Sequence, residues 1–369
     1  MVRVIPPIGA RALNRATLAR QQLLKRSSMS ALEFTEHAFG LQAQAPMAPY
    51  FALWARLKNF APEQLSELLL NRSAVRIVVM RGTVHLLAAD DARLLRPLVQ
   101  PVMDRDLRLN ALHAAGLEGI DHDALAAAGR ALVEETPLTA AELRPLLGER
   151  WPDRDPAALA HGVRGLLPLV QVPPRGIWGK AGQPTLTTLE HWLGREPLAN
   201  PSLDVMVFRY LAAYGPASIQ DVQAWSGLTR LGEVVERIRS QLIVFRSESG
   251  TELFDLPDAP RPGPDVVAPV RILAPFDNLL LSYADRTRVL DEEYKAVLFT
   301  QNGIIKPAVL VNGRAVGFVA ITKTKGAVLL EVSLFTKIAK SALTALEKEG
   351  HALLRFAHPG AGSYEVRVG

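Results

Sequence analysis

Gln42 and Gln44 stand two residues apart in the segment Gly40-Leu-Gln-Ala-Gln-Ala-Pro46, between two stretches that read as helices. On a helix the two side chains would diverge by about 200°, whereas an extended backbone aims both the same way. Pro46 disfavours the helical conformation for Ala45, and Gly40 is a natural stop for the preceding helix, so the spacing predicts a short extended link. Two amides on one side carry both acceptors and donors. They can hold a water molecule, read a base edge, or cap the backbone ends of the neighbouring helices.

Few other residues are arranged for chemistry. With no cysteine in 369 residues, disulfides, thiolate metal sites and cysteine nucleophiles are excluded. Asp121-His122-Asp123 has metal-ligand residue types, but consecutive side chains diverge and Asp123 suits a helix start. No phosphate-binding Gly-x-x-x-x-Gly-Lys-Ser/Thr stretch occurs, and spacing alone assigns no Ser/His/Asp triad. His85, after Arg81-Gly82-Thr83, can either face DNA or be a satisfied buried histidine.

The net charge is +5, unevenly distributed. Residues 1–32 hold six basic residues and no acid, and residues 301–346 hold six basic residues and only Glu331, leaving the remainder at 30 minus 36, or −6. Positive charge concentrated in this way is the footprint of a polyanion partner; the plainer alternative is two solubilising segments. Arg11, Arg15 and Arg20 on the first helix, and Lys323 and Lys325 at a hairpin tip, are the candidate DNA contacts. The amino terminus lacks a signal-peptide stretch and no segment approaches a membrane span, so the expectation is a cytoplasmic, nucleoid-associated protein with no membrane contact.

The elements that position these residues repeat. Ser30-x-x-Glu33, Thr139-x-x-Glu142 and Ser218-x-x-Asp221 each place a hydroxyl at a helix N-cap and an acid three residues later. In the second copy, 123–135, 139–147 and 156–167 read as helices, followed by strands over 169–172 and 177–186; in the third, 203–213, 218–226 and 231–241 precede strands over 242–246 and 252–256. Three helices and a hairpin is the winged-helix plan. The first copy carries an extra helix and the glutamine pair. Beyond the Pro-rich linker at 257–264, Asn312-Gly313 and Lys323-Thr324-Lys325-Gly326 mark hairpin turns, and 337–349 reads as a final helix. The expectation is α+β: winged units at 1–120, 121–200 and 201–264, then a β-rich unit at 265–369.

Gln42-Ala-Gln44-Ala-Pro, Tyr50-Phe-Ala-Leu-Trp-Ala-Arg56, Met80-Arg-Gly-Thr-Val-His-Leu86, Ala274-Pro-Phe-Asp-Asn-Leu-Leu280 and the 307–317 stretch together resemble the winged-helix DNA glycosylases of the AlkZ type. The resemblance implies tandem winged helices in a C-shaped array around duplex DNA. It implies excision of alkylated purines, including interstrand crosslinks left by antibiotics, with no metal or cofactor. It maps the catalytic motif onto Gln42 and Gln44 and requires a hairpin entering the DNA, placed here at Thr322 to Ala327. Asp277 falls in a matching motif near the channel, where a structural role is the favoured reading.

Amides do not titrate near pH 7, so two glutamines cannot supply the 10²–10⁴ that a general base typically contributes. The substrate must therefore bring its own activation. A purine alkylated at N7 or N3 is already cationic and leaves neutral. The competing reading, a tandem winged-helix transcription regulator, explains the repeats and the charge but leaves the glutamines idle. A chain that repeats its binding unit needs no second copy, so a monomer is expected.

Overall fold

The structure, a computed structural model, describes residues 6–369, so Arg3 of the basic amino-terminal segment lies outside the described residues. It is a mixed α+β protein with three sheets. All three predicted capping boxes form: Ser30, Thr139 and Ser218 each accept the N–H of Glu33, Glu142 or Asp221, whose carboxylates accept the N–H of the capping residue in return.

The largest sheet has six strands in the order Leu41–Gln42, Val84–Ala88, Ala74–Val78, Leu169–Gln171, Thr185–Thr188, Leu138–Thr139. Its middle pairing, Arg76 with Gln171 and Ile77 with Val170, is antiparallel and joins the segments expected as separate units at 1–120 and 121–200. A three-stranded sheet pairs Pro7–Ile8, in parallel, with Ile243–Ser247, which pairs in turn with Glu252–Asp255. The amino terminus is thus stitched to the segment expected at 201–264. The third sheet runs Arg271–Ile272, Ala308–Val311, Arg314–Thr324, Ala327–Leu334, Ser363–Val368; only the last pairing is parallel.

Several element boundaries depart from expectation, and three of the departures have a visible physical cause. The return strand read from Ile177 begins only at Thr185. Ile177 and Trp178 instead fold back onto the helix Ala48–Arg56, where the Trp178 ring centroid lies 4.9 Å from that of Tyr50 and Tyr50 Oη donates to the Gly176 carbonyl at 2.7 Å. Gly176 is required there, because it has φ +88° and a Cβ would lie 2.6 Å from Arg76 Cδ. The final helix is Lys340–Ala357 and not 337–349, drawn on by a buried stripe of Leu346, Gly350, Leu353 and Leu354. Asp121, not Asp123, opens the helix His122–Glu135, its carboxylate accepting the N–H groups of Asp123 and Ala124. Among the described residues no helix is long and apolar enough to cross a membrane.

Candidate active site

The glutamine pair occupies an extended link, as its sequence predicts. Leu41 and Gln42 pair antiparallel with Leu86 and His85, and Ala43 N–H continues the ladder to the Val84 carbonyl at 2.8 Å. The preceding helix, Ala31–His37, is followed by a turn that closes at Gly40, whose φ of +98° and close approach to Leu87 exclude a side chain. Arg76, buried one strand further on in Ala74–Val78, clamps the link by donating from Nη2 to the Ala43 carbonyl at 2.9 Å. Asn278 holds it from the far end of the chain: its Oδ1 accepts Gln42 N–H at 2.9 Å while its Nδ2 donates to the Gly40 carbonyl and Tyr214 Oη, both at 2.8 Å.

Gln42 reaches the turn between Ala74–Val78 and Val84–Ala88, and Gln44 reaches the first residue of the second of these strands. Gln42 Oε1 accepts from Arg81 Nη2 at 2.6 Å, with Thr83 Oγ1 3.4 Å away; Gln44 Oε1 lies 3.4 Å from Val84 N. Arg81 has φ +57° and also donates to the Trp225 carbonyl. Its Nη2 further lies 3.3 Å from His85 Nε2, while His85 Nδ1 sits 2.9 Å from the Thr83 carbonyl. A carbonyl only accepts, so Nδ1 carries the proton and Nε2 offers its lone pair to Arg81. His85 is fully buried; loss of solvation, and then the nearby Arg81 charge, push its pKa down to about 3. It is a neutral link in a hydrogen-bond chain and faces no DNA. Burial also lowers Arg81 to about 10, leaving it cationic at neutral pH.

Gln44 is exposed and lines a cleft of about 600 Å³ with Arg144, Arg164, Arg175 and Gln171. Among the described residues lining this cleft there is no Asp, Glu or His. Arg144 and Arg164 are exposed and Arg175 is half-buried, donating from Nη1 to the Gly182 carbonyl. These three arginines come from separate elements with ordinary local charge density, so no charge run in the sequence marks them.

The candidate DNA contacts on the first helix need correction. Arg20 is sealed in the interior with Nη1 and Nη2 on the two Asp255 oxygens at 2.7 and 2.8 Å. Arg15 is also buried, donating to the Val266 carbonyl and to Asn312 Oδ1. Neither reaches solvent. Their charge serves contacts to distant parts of the chain, which a guanidinium makes well because its planar fork satisfies several acceptors at once. Arg11 is exposed but spends its Nε on the Pro264 carbonyl at 2.7 Å. Lys323 and Lys325 are exposed at their hairpin tip, and the Lys323 charge adds to burial in lowering the pKa of His358. Asp277 is buried and holds Arg56 through two oxygens at 2.6 and 2.8 Å, a structural role. The residue of that motif that touches the glutamine link is Asn278.

A family model described as DNA glycosylase AlkZ-like matches residues 35–356. An interstrand DNA cross-link repair glycosylase of Streptomyces sahachiroi is 25% identical over 376 positions, covering 95% of this chain and 96% of that protein. The solved structure of the Streptomyces sahachiroi DNA glycosylase AlkZ matches with a TM-score of 0.82 at 23% identity, over 98% of this chain and 100% of that one, which establishes a shared fold. The matched region contains the glutamine link, the Arg81 turn and the arginine-lined cleft. The chain belongs to the AlkZ-like DNA glycosylase family and is a hydrolase of N-glycosyl bonds, not a regulator that only binds.

Proposed function

We propose that the protein hydrolyses the N-glycosidic bond of cationic N7- or N3-alkylated purines in duplex DNA, with Gln42 and Gln44 at the reaction centre. The observation that carries this reading is the cleft beside Gln44: it offers three arginines and no side chain able to act as a base near pH 7. Without a base in this cleft, hydrolysis there depends on a leaving group that is already activated, as a positively charged purine is. The arginines suit the phosphates flanking the lesion. Gln44 is exposed, so the sugar is reachable from a groove without rotating the purine into a closed pocket. That supports unhooking of purines tied to the opposite strand, and the name of the Streptomyces relative, an interstrand DNA cross-link repair glycosylase, favours crosslinked substrates; an alkylating antibiotic as the source of those crosslinks is part of the same proposal.

In the same reading the α+β architecture is a C-shaped array of winged helices, 1–120, 121–200 and 201–264, acting as a monomer on duplex DNA. The unit at 265–369 brings Lys323 and Lys325 to the duplex. The test is incubation with duplex carrying N7-methylguanine, scored for free base and abasic sites. Gln42→Ala and Gln44→Ala should retain DNA binding and lose most, but not all, of the excision rate; full activity in both would remove the assignment, and efficient release of uracil would contradict the requirement for a cationic base.

A further inference from the structure

The direction of the Gln42 amide is decided by its neighbour. A guanidinium has only donors, so the atom 2.6 Å from Arg81 Nη2 is the carbonyl oxygen. Gln42 is buried, 7% exposed, and its Nε2 makes no hydrogen bond with the described residues while keeping a narrow contact with solvent. Arg81 is itself fixed: its second acceptor on Nη2 is the lone pair of His85, and Nη1 is held by the Trp225 carbonyl. A Cβ on Gly227 would come within 3.1 Å of the Arg81 backbone, so the turn is backed as well as bonded. Reversing the amide would set its N–H groups against a cation and leave Oε1 outward.

We propose that Arg81 is a positioning residue that locks Gln42 as a hydrogen-bond donor aimed at N3 of an N7-alkylated purine, so that Gln42 acts on the departing base and not on the incoming water. The proposal rests on the reading of Gln42 at the reaction centre. As the C1′–N9 bond breaks, its electron pair moves to N9 and spreads into the purine, including N3. Gln42 N–H stabilises that gathering charge without transferring a proton. Water adds to C1′ and releases its proton to solvent. The pull of Arg81 on Oε1 polarises the amide and strengthens the donor. Purines alkylated at N3 lack this acceptor, so the arrangement selects the N7 class.

Single-turnover excision tests this with duplexes carrying N7-methylguanine or its 3-deaza counterpart, each rate divided by that substrate's spontaneous depurination. The expected wild-type preference for the N3-bearing base is about tenfold or more, and Gln42→Ala abolishes the preference. Arg81→Met shrinks it with the dissociation constant for DNA unchanged; should Arg81→Met melt early, Arg81→Lys, which keeps the charge without the fork, carries the comparison. Gln42→Glu, an acceptor of the same shape, should fall to the Gln42→Ala level. An equal preference in wild type and Gln42→Ala, or wild-type excision by Gln42→Glu, overturns the donor assignment. Undiminished excision by Gln42→Ala would sink the reaction-centre reading itself, a different result.

Discussion

Asn278 accepts the backbone N–H of Gln42 at 2.9 Å across 236 residues of sequence, and with the same amide donates to Gly40 and Tyr214. One buried side chain therefore sets where the glutamine link lies relative to the interior of the protein, although it touches neither glutamine side chain.

Asn278→Leu should leave a buried N–H and a buried carbonyl without partners, each costing about 1–3 kcal/mol. Denaturant unfolding should show at least about 2 kcal/mol lost. At temperatures where the variant is folded, excision should fall more than DNA affinity, because the link shifts while the cleft arginines stay. A drop in affinity with unchanged turnover would contradict this role.

The cleft arginines and the buried arginines should separate cleanly. Arg144→Gln and Arg164→Gln are each expected to weaken binding to all duplexes and to reduce the slope of log affinity against log salt by about 0.9. Arg20→Met should leave that slope alone and cost up to about 3 kcal/mol of stability, because Asp255 loses its bidentate partner and keeps only Arg261. Salt titrations of binding beside unfolding curves decide between the two patterns.

His85 makes stability depend on pH with a defined sign. Its folded pKa, about 3, lies below the usual 6.5, so between these values the unfolded chain takes up a proton that the native state refuses. Stability from this group is complete above about pH 6.5 and is lost as pH falls towards 3, at up to about 1.4 kcal/mol per pH unit. The stability gap between wild type and His85→Gln should narrow from pH 7 to pH 4. Parallel curves would show that His85 is not held neutral. Excision of N7-methylguanine should carry no inflection from His85 between pH 5 and 9.

Gly40→Ala forces a side chain into a left-handed backbone position against Leu87. Strain of about 1–3 kcal/mol is expected. Because Gly40 also presents its carbonyl to Asn278, excision should fall with stability; a stable variant with full excision would show that the link tolerates displacement.

The glutamine link was legible because local rules govern it: a glycine stop, a proline that forbids helix before it, and a spacing of two. The three capping boxes were legible for the same reason. The return strand expected over 177–186 begins only at Thr185, since the apolar residues Ile177 and Trp178 suit a strand but are taken by Tyr50 and its neighbours in a helix more than a hundred positions earlier. The basic amino-terminal helix misled in another way. Composition records charge without recording that Arg15 and Arg20 are consumed by Asn312 and Asp255.

Sequence by itself determined which segment carries the two amides and why it is extended, because proline, glycine and capping residues act on backbone dihedrals within a few positions. Only the tertiary structure decided which way the Gln42 amide faces, that His85 is neutral, and that Arg144, Arg164 and Arg175 line one cleft while Arg20 lies in a core. Those outcomes depend on desolvation and on hydrogen-bond partners brought together from distant positions, and neither is encoded in the spacing of residues along the chain.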